Sequence, residues 1–119
     1  MSSSSLLNLA LSYWDAEARG DLPAVLEHFD RNAAFTAPGF QLHGRQEIAA
    51  FYKKIMGTYK TMRIEARRTI EHGDDIVVEF GFHFTRQNGT PGYAEGCNVF
   101  TITQSQITRL RAYFNPSDY

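Results

Sequence analysis

One segment in the second half of the chain constrains the fold more than any other. Between positions 76 and 84, every even residue is bulky and apolar: Ile76, Val78, Phe80, Phe82 and Phe84. The odd positions between them include Glu79, Gly81 and His83. Because the side chains of a β-strand alternate between its two faces, this pattern predicts a strand with one face in a hydrophobic core. A second layer of structure must cover that face.

Turn signals divide the second half of the chain into strands. Polar residues, Gly or Pro cluster at Gly73–Asp75, Asn88–Gly92 and Gln104–Gln106. The strands predicted between them cover residues 59–72, 75–86, 93–103 and 107–114, with a short earlier strand at Ala33–Ala37. The short turns predict antiparallel hairpins. Asn98 is the one polar side chain on the even face of its strand.

The first half of the chain has the residue spacing of helices. Two adjacent lines of residues give the first helix a broad apolar stripe: Leu6, Ala10, Tyr13 and Glu17, then Leu7, Leu11, Trp14 and Ala18. Gly20 predicts its end, and Asp21 with Pro23 predicts the start of a short second helix. A third helix is predicted from about Arg45 to Met56. Helices followed by strands, without alternation, indicate the α+β class.

The length and charge of the chain limit the number of domains and the classes of partner that we expect. The 119 residues suit a single domain, residues 1–119. The formal charge is −1, with acidic and basic residues mixed along the chain. The sequence shows no basic face of the kind that binds phosphates, so we expect no nucleic-acid partner. No run approaches the roughly 18 apolar residues of a membrane span, so we expect no membrane partner.

The remaining composition bears on location and cofactors. Cys97 is the only cysteine, which excludes an intrachain disulfide and favours a reducing, cytoplasmic location. Met1–Leu11 has no cationic segment, so it predicts a helix and its cap and not a signal peptide. The histidines lack metal-ligand spacing and no cofactor motif is present, so we expect no metal and no cofactor.

Several short motifs follow one another in an informative order. They are Tyr13–Leu22, the spaced Phe29, Phe35 and Pro38, then His43–Ile48 leading to Phe51–Tyr52, and Arg109–Phe114 at the end. Together they resemble the NTF2-like superfamily, especially its SnoaL-like polyketide-cyclase and ketosteroid-isomerase-like branches, over nearly the whole chain. The resemblance implies a cone-shaped α+β roll, in which three N-terminal helices pack on a curved, mostly antiparallel sheet. It also implies a pocket for an apolar small molecule and a homodimer through the outer sheet face.

The resemblance assigns roles to individual residues. In ketosteroid isomerases, a first-helix tyrosine and a protonated strand aspartate donate hydrogen bonds to a developing enolate, while a second aspartate moves the proton. Tyr13 matches that tyrosine, Tyr52 matches a supporting tyrosine, and Asn98 matches the strand aspartate. The position of the base is Ala37, which cannot move a proton. The resemblance therefore implies the hydrogen-bonding half of that site without its base.

Other groups could supply the missing acid–base chemistry. His43 precedes the third helix and a histidine has a suitable ordinary pKa, although its place in a loop favours an exposed residue. Glu17 lies one helical turn after Tyr13 and is either a pocket carboxylate or a solvated helix end. Tyr113–Asn115 resembles the Tyr-Phe-Asp ending of the epoxide-hydrolase branch, with Asn in place of the acid.

Strand alternation separates inward from outward polar residues. His83 and Glu95 have odd positions and are expected on the outer sheet face. Arg68 shares the inward parity of Met62, Ile64 and Ala66, and a bulge would turn it outward.

These considerations lead to one predicted cavity and three functional hypotheses. The wall of the cavity is predicted to include Trp14, Phe35, Ala37, Phe51, Phe80, Phe82, Phe100, Ala112 and Phe114. The first hypothesis is a SnoaL-like enzyme that isomerises, cyclises or dehydrates a polyketide-, terpenoid- or steroid-like molecule. Tyr13 and Asn98 would polarise a substrate oxygen in that case. The alternatives are a non-catalytic binding or association module, in which Tyr13 bonds Tyr52 in a closed core, and an epoxide-opening enzyme with a displaced acid–base set.

Overall fold

In the computed structural model, which describes residues 4–119, three helices pack against one six-stranded sheet. The helices are α1 (Ser5–Ala18), α2 (Leu22–Glu27) and α3 (Gly44–Thr58). The strands are β1 (Phe29–Ala37), β2 (Phe40–His43), β3 (Tyr59–His72), β4 (Asp75–Arg86), β5 (Pro91–Thr103) and β6 (Gln106–Phe114), and a 3-10 turn follows at Pro116–Asp118. The predicted α+β class is confirmed.

Helix α1 begins and ends where its local sequence directs. The hydroxyl of Ser4 accepts a hydrogen bond from the backbone N–H of Leu7 at 3.0 Å, which satisfies one of the free N–H groups at the helix start. Gly20 follows the helix with a φ of +69°, a left-handed conformation that glycine adopts without strain. The part of the predicted N-terminal helix that falls on residues 1–3 lies outside the described residues.

The sheet has the strand order β2-β1-β6-β5-β4-β3. Neighbouring strands are antiparallel except β1 and β6, which run parallel, so the prediction of a mostly antiparallel sheet is confirmed. Two details differ from the prediction. β1 begins at Phe29 and not at Ala33, and β2 is a four-residue strand that folds back on β1 after Pro38–Gly39.

Side chains on β4 alternate as predicted. Its even residues from Ile76 to Phe84 are buried under the helices, each at most 7% exposed. His83 and Glu95 lie on the outer face, where His83 approaches Glu65 and Glu95 pairs with Arg67. Arg68 also lies outward, because the register shifts between Ala66 and Arg68 and brings Arg68 to within 3.3 Å of Glu79.

The helices cover the apolar face of the sheet from two sides. Helix α1 contacts β3 and β4, whereas α3 contacts β1 and β2. The guanidinium group of Arg45 donates two hydrogen bonds, of 2.9 and 2.7 Å, to the carbonyl oxygen of Phe29 and so joins α3 to β1. Among residues 4–119, no helix is long and apolar enough to cross a membrane.

A glycine on β5 sets the position of one aromatic ring. Phe80 on β4 lies directly opposite Gly96, and a Cβ atom at position 96 would stand 2.5 Å from the Cζ atom of Phe80. Only glycine therefore lets this ring lie against the backbone of β5. From there the ring reaches Trp14 of α1, with a centroid separation of 5.5 Å.

Candidate active site

A cavity of about 100 Å³ lies between α1, α3 and the inner face of the sheet. It is lined by Tyr13, Trp14, Glu17, Phe35, Phe51, Tyr52, Ile55, Tyr59, Ile64, Phe80, Phe82, Asn98, Ala112, Phe114 and Tyr119. Most of this wall is aromatic or aliphatic. The polar groups are few and lie on α1, α3, β3, β5 and the C-terminal turn, which is the usual composition of a small-molecule site.

Two tyrosines meet at one side of the cavity. Tyr13 on α1 and Tyr52 on α3 are both buried, and their hydroxyl groups are hydrogen-bonded to each other. Burial raises the pKa of Tyr52 well above its ordinary value, which keeps this phenol protonated. A bond between two hydroxyls uses only one of their two protons. The pair therefore retains one O–H donor for a further partner.

Asn98 contributes the polar group of the sheet. It lies on β5 between Val78 of β4 and Ala112 of β6, and it is 6% exposed. Its side-chain oxygen Oδ1 is buried and has no hydrogen-bond partner among residues 4–119. Leaving a buried polar group unpaired costs about 1–3 kcal/mol, so such an atom in a cavity wall favours a ligand partner. The amide can accept through Oδ1 or donate through its NH2 group.

Glu17 is the ionisable group of the cavity. It follows Tyr13 by one turn of α1, and this spacing places both side chains on the same face of the helix. Glu17 is 8% exposed, and desolvation by burial raises its pKa from 4.5 to about 8. Of the two alternatives that the sequence leaves open, the structure therefore favours the cavity carboxyl over the solvated helix end.

Tyr119 is a cavity residue that sequence reasoning missed. Its ring stacks on Phe82 with a centroid separation of 5.3 Å and an angle of 20°, and it also contacts Phe114. Its hydroxyl is buried without a partner among residues 4–119. Burial, followed by the nearby Tyr59 and Glu17, raises the pKa of Tyr119 above its ordinary value. No pattern precedes this residue in the sequence, since it follows the last strand and a turn.

Tyr59, Ile55 and Ile64 were also not predicted as cavity residues. Ile64 and Ile55 carry the expected inward spacing of β3 and α3, and that spacing could have identified them. Tyr59 has outward parity on β3. The register of β3 shifts between Tyr59 and Thr61, and this irregularity turns the tyrosine inward.

Three residues predicted for the site, His43, Ala37 and Phe100, lie outside the cavity wall, as does Asn115. His43 is exposed at the start of α3, where its backbone N–H donates to the carboxylate of Glu47 at 2.8 Å. Ala37 ends β1 outside the cavity wall. Phe100 is fully buried in the core behind Tyr13 and Trp14. Asn115 is exposed and caps the 3-10 turn, with its Oδ1 accepting from the backbone N–H of Ser117.

Comparison with known proteins settles the family. A family model described as a SnoaL-like domain matches residues 10–110. The chain belongs to the SnoaL-like domain family. A search of curated protein sequences finds no match to this SnoaL-like chain.

Solved structures show the same fold as this SnoaL-like chain. An NTF2-like protein of unknown function from Burkholderia pseudomallei K96243 is 23% identical, with 97% of this chain and 94% of that chain covered and a TM-score of 0.85. An LEH-like epoxide hydrolase of Mycobacterium tuberculosis is 17% identical, with 96% of this chain and 85% of that chain covered and a TM-score of 0.82. A Catenulispora acidiphila DSM 44928 protein with a ketosteroid isomerase-like fold, in complex with trimethylamine, is 14% identical. The match covers 92% of this chain and 87% of that chain, with a TM-score of 0.84. Identities this low establish the NTF2-like fold alone.

Proposed function

We propose that this SnoaL-like protein is an enzyme that transfers protons on an apolar, oxygen-bearing small molecule. The observation that carries the proposal is Glu17, a buried carboxyl with a pKa of about 8 in a cavity that also presents Tyr13 and Asn98. A general acid or base works best when its pKa lies near the working pH. The reaction would be an isomerisation, cyclisation or dehydration of a polyketide-, terpenoid- or steroid-like molecule.

The cavity residues divide into two roles in this proposal. The O–H group left free by the Tyr13–Tyr52 pair and the amide of Asn98 bind a substrate oxygen. Donors aimed at developing negative charge in a dry site each contribute about 2.7–4 kcal/mol to catalysis. Glu17 takes the place of the base that is absent at Ala37.

In this proposal Glu17 removes a proton from the carbon next to a substrate carbonyl. The ionised Glu17 carboxylate forms an O–H bond with the substrate proton as the C–H bond breaks. The electron pair moves to the carbonyl oxygen, where the hydroxyl and amide donors stabilise it. Glu17 then returns the proton to carbon, and return to a different carbon gives the isomer. With a pKa of about 8, roughly a tenth of the protein carries the base form at pH 7.

The test is hydrogen exchange on a simple ketone. Cyclohexanone in D2O would be followed by NMR. The abstracted proton on Glu17 exchanges with deuterium from the solvent before the carboxyl returns it to carbon, so the wild-type protein is expected to accelerate exchange of the hydrogens next to the carbonyl. The Glu17→Gln variant should lose about 10²–10⁴-fold of that acceleration, the range for general acid–base groups. Glu27→Gln, at the exposed end of α2, is the matched control and should retain it. Wild-type exchange rates in Glu17→Gln would refute the role of Glu17.

A non-catalytic binding module is the second candidate. The small volume of the cavity and the mutual hydrogen bond of Tyr13 and Tyr52 favour it, because that bond joins α1 to α3 in the core without any ligand. This candidate predicts binding of cyclohexanone by calorimetry with no exchange above the rate in buffer.

We also propose that two copies associate through the outer sheet face. Large apolar side chains are exposed there, with Ile70 at 53% and Tyr113 at 55%. Beside them, Tyr93 is hydrogen-bonded to Arg67 and Glu95. Aromatic residues and Arg are enriched in protein interfaces, which supports a homodimer at this face.

A further inference from the structure

A second depression, between α3 and β2, adjoins the central cavity. This outer groove has a volume of about 610 Å³ and is lined by Phe40, Leu42, Glu47, Ala50, Phe51, Lys54, Ile55 and Thr58. Phe51 and Ile55 line both the groove and the central cavity. They therefore form a shared partition between the two spaces.

The central cavity is smaller than the pockets that hold larger ligands in other proteins. An apolar cavity of about 150 Å³ in another protein holds benzene, and pockets for larger ligands occupy about 300–1,000 Å³. The central cavity, at about 100 Å³, holds only a fragment of that kind. A ligand with more than one ring, or with an alkyl chain, must therefore extend into a neighbouring space.

The outer groove is the neighbouring space that shares a wall with the cavity. Its floor is apolar, with Phe40 and Leu42 of β2 facing Phe51 and Ile55 of α3, and the charged Glu47 and Lys54 lie along it. Another depression, which includes Arg63, His83 and Gly92, shares no lining residue with the cavity among residues 4–119.

Phe51 is suited to be the movable part of the partition. Its side chain is half-buried, and its ring contacts the rings of Phe40, Phe35 and Tyr52 at centroid separations of 4.8, 5.5 and 5.1 Å. A phenyl ring has no hydrogen bond to break when it moves. Tyr52, the next residue, is fully buried and hydrogen-bonded to Tyr13, so it keeps α3 in place.

We propose that the outer groove is the second half of the ligand site, where it binds the apolar extension of a ligand whose oxygen-bearing end lies in the central cavity. Phe51 moves aside to let the two parts of the ligand connect. The ligand class is an elongated apolar molecule with an oxygen at one end. The inference rests on the proposed function only in that the central cavity binds the oxygen-bearing end.

Calorimetry with a series of phenols tests this inference. Phenol and its para-methyl, para-ethyl, para-propyl and para-butyl derivatives would be titrated into the full chain. Affinity should rise about fourfold for each methylene that the groove buries. Ala50→Glu adds a charge at an exposed helix position in the groove and should abolish that rise while leaving phenol itself unaffected. Gln46→Glu adds the same charge to α3 outside the groove and is the matched control.

The outcomes separate this inference from the proposed function. Three results would overturn the outer subsite and leave the catalytic proposal standing. They are an affinity that rises equally along the series in Ala50→Glu and the wild type, an affinity that does not rise in the wild type, and an affinity that Ala50→Glu lowers equally for every phenol. Failure of the wild type to bind phenol counts against both. Leu42→Glu, on the opposite wall of the groove, repeats the test should Ala50→Glu alter the melting temperature.

Discussion

Replacing Glu17 by glutamine is expected to change how the stability of the fold depends on pH. Burial raises the pKa of this carboxyl from 4.5 to about 8, so the folded chain holds the proton more tightly than the unfolded chain does. Below pH 4.5 the carboxyl is protonated in both the folded and the unfolded chain, so its ionisation takes nothing from the free energy of unfolding. As the pH rises from 4.5 towards the folded pKa of about 8, the free energy of unfolding falls, because unfolding then allows the carboxyl to ionise.

The magnitude follows from the width of that pH window. Each pH unit between the unfolded and folded pKa values costs about 1.4 kcal/mol. The wild type should therefore lose about 3 kcal/mol relative to Glu17→Gln between pH 4.5 and 7, and about 4 kcal/mol by pH 8, where half of the folded chains are ionised. The amide of the variant does not ionise, so this component of the pH dependence disappears with the substitution.

Urea unfolding measures the difference directly. Trp14 is the only tryptophan and is buried against Phe80 and Phe100, so its emission reports unfolding. The free energy of unfolding would be compared at several pH values from 5 to 8, with Glu27→Gln as the control that should follow the wild type. Parallel pH profiles for Glu17→Gln and the wild type would show that Glu17 ionises normally in the folded chain, and the argument for a buried acid–base group would fail.

Two further predictions concern packing and assembly. Gly96→Ala should cost about 1–3 kcal/mol in urea unfolding and shift the emission of Trp14, because the new methyl group displaces the Phe80 ring; unchanged stability and emission would contradict the close contact. Tyr113→Glu, at the exposed outer sheet face, should convert a dimer into a monomer by light scattering. A wild type that is already monomeric would rule out the proposed homodimer.

Strict alternation made much of the sheet predictable. The even residues of β4 are apolar without exception from Ile76 to Phe84, and a one-residue shift would expose all of them. The same parity correctly placed Asn98 on the inner face of β5. The resemblance to a known family added the meeting of Tyr13 with Tyr52, which are 39 positions apart in the chain.

Alternation fails where a strand contains an irregularity. Tyr59 and Ile107 both have outward parity, yet both are buried. The register of β3 shifts next to Tyr59, and the pairing of β5 with β6 shifts between Thr101 and Ile102, opposite Ile107. A shift of this kind depends on how two strands fit together, and the sequence of one strand does not contain that information.

The candidate site was predicted less completely than the fold. Helical spacing placed Glu17 beside Tyr13 but could not decide whether α1 extends past the sheet at that turn, and burial depends on that. The position of Tyr119 depends on the turn at Pro116–Asp118, which returns the chain to Phe82. For His43 the structure agrees with the exposed alternative, since its side chain is exposed at the start of α3.

The irregularities of β3 also affect how the protein behaves at high concentration. β3 is an edge strand of 14 residues, and a long regular edge is a template on which other chains add strands and form fibrils. The shifts after Tyr59 and Ala66 interrupt its hydrogen-bonding ladder, and the exposed Lys60 and Arg63 add charge to it. The opposite edge, β2, has only four residues. Substitutions that straighten β3 would therefore promote aggregation even where they stabilise the folded chain.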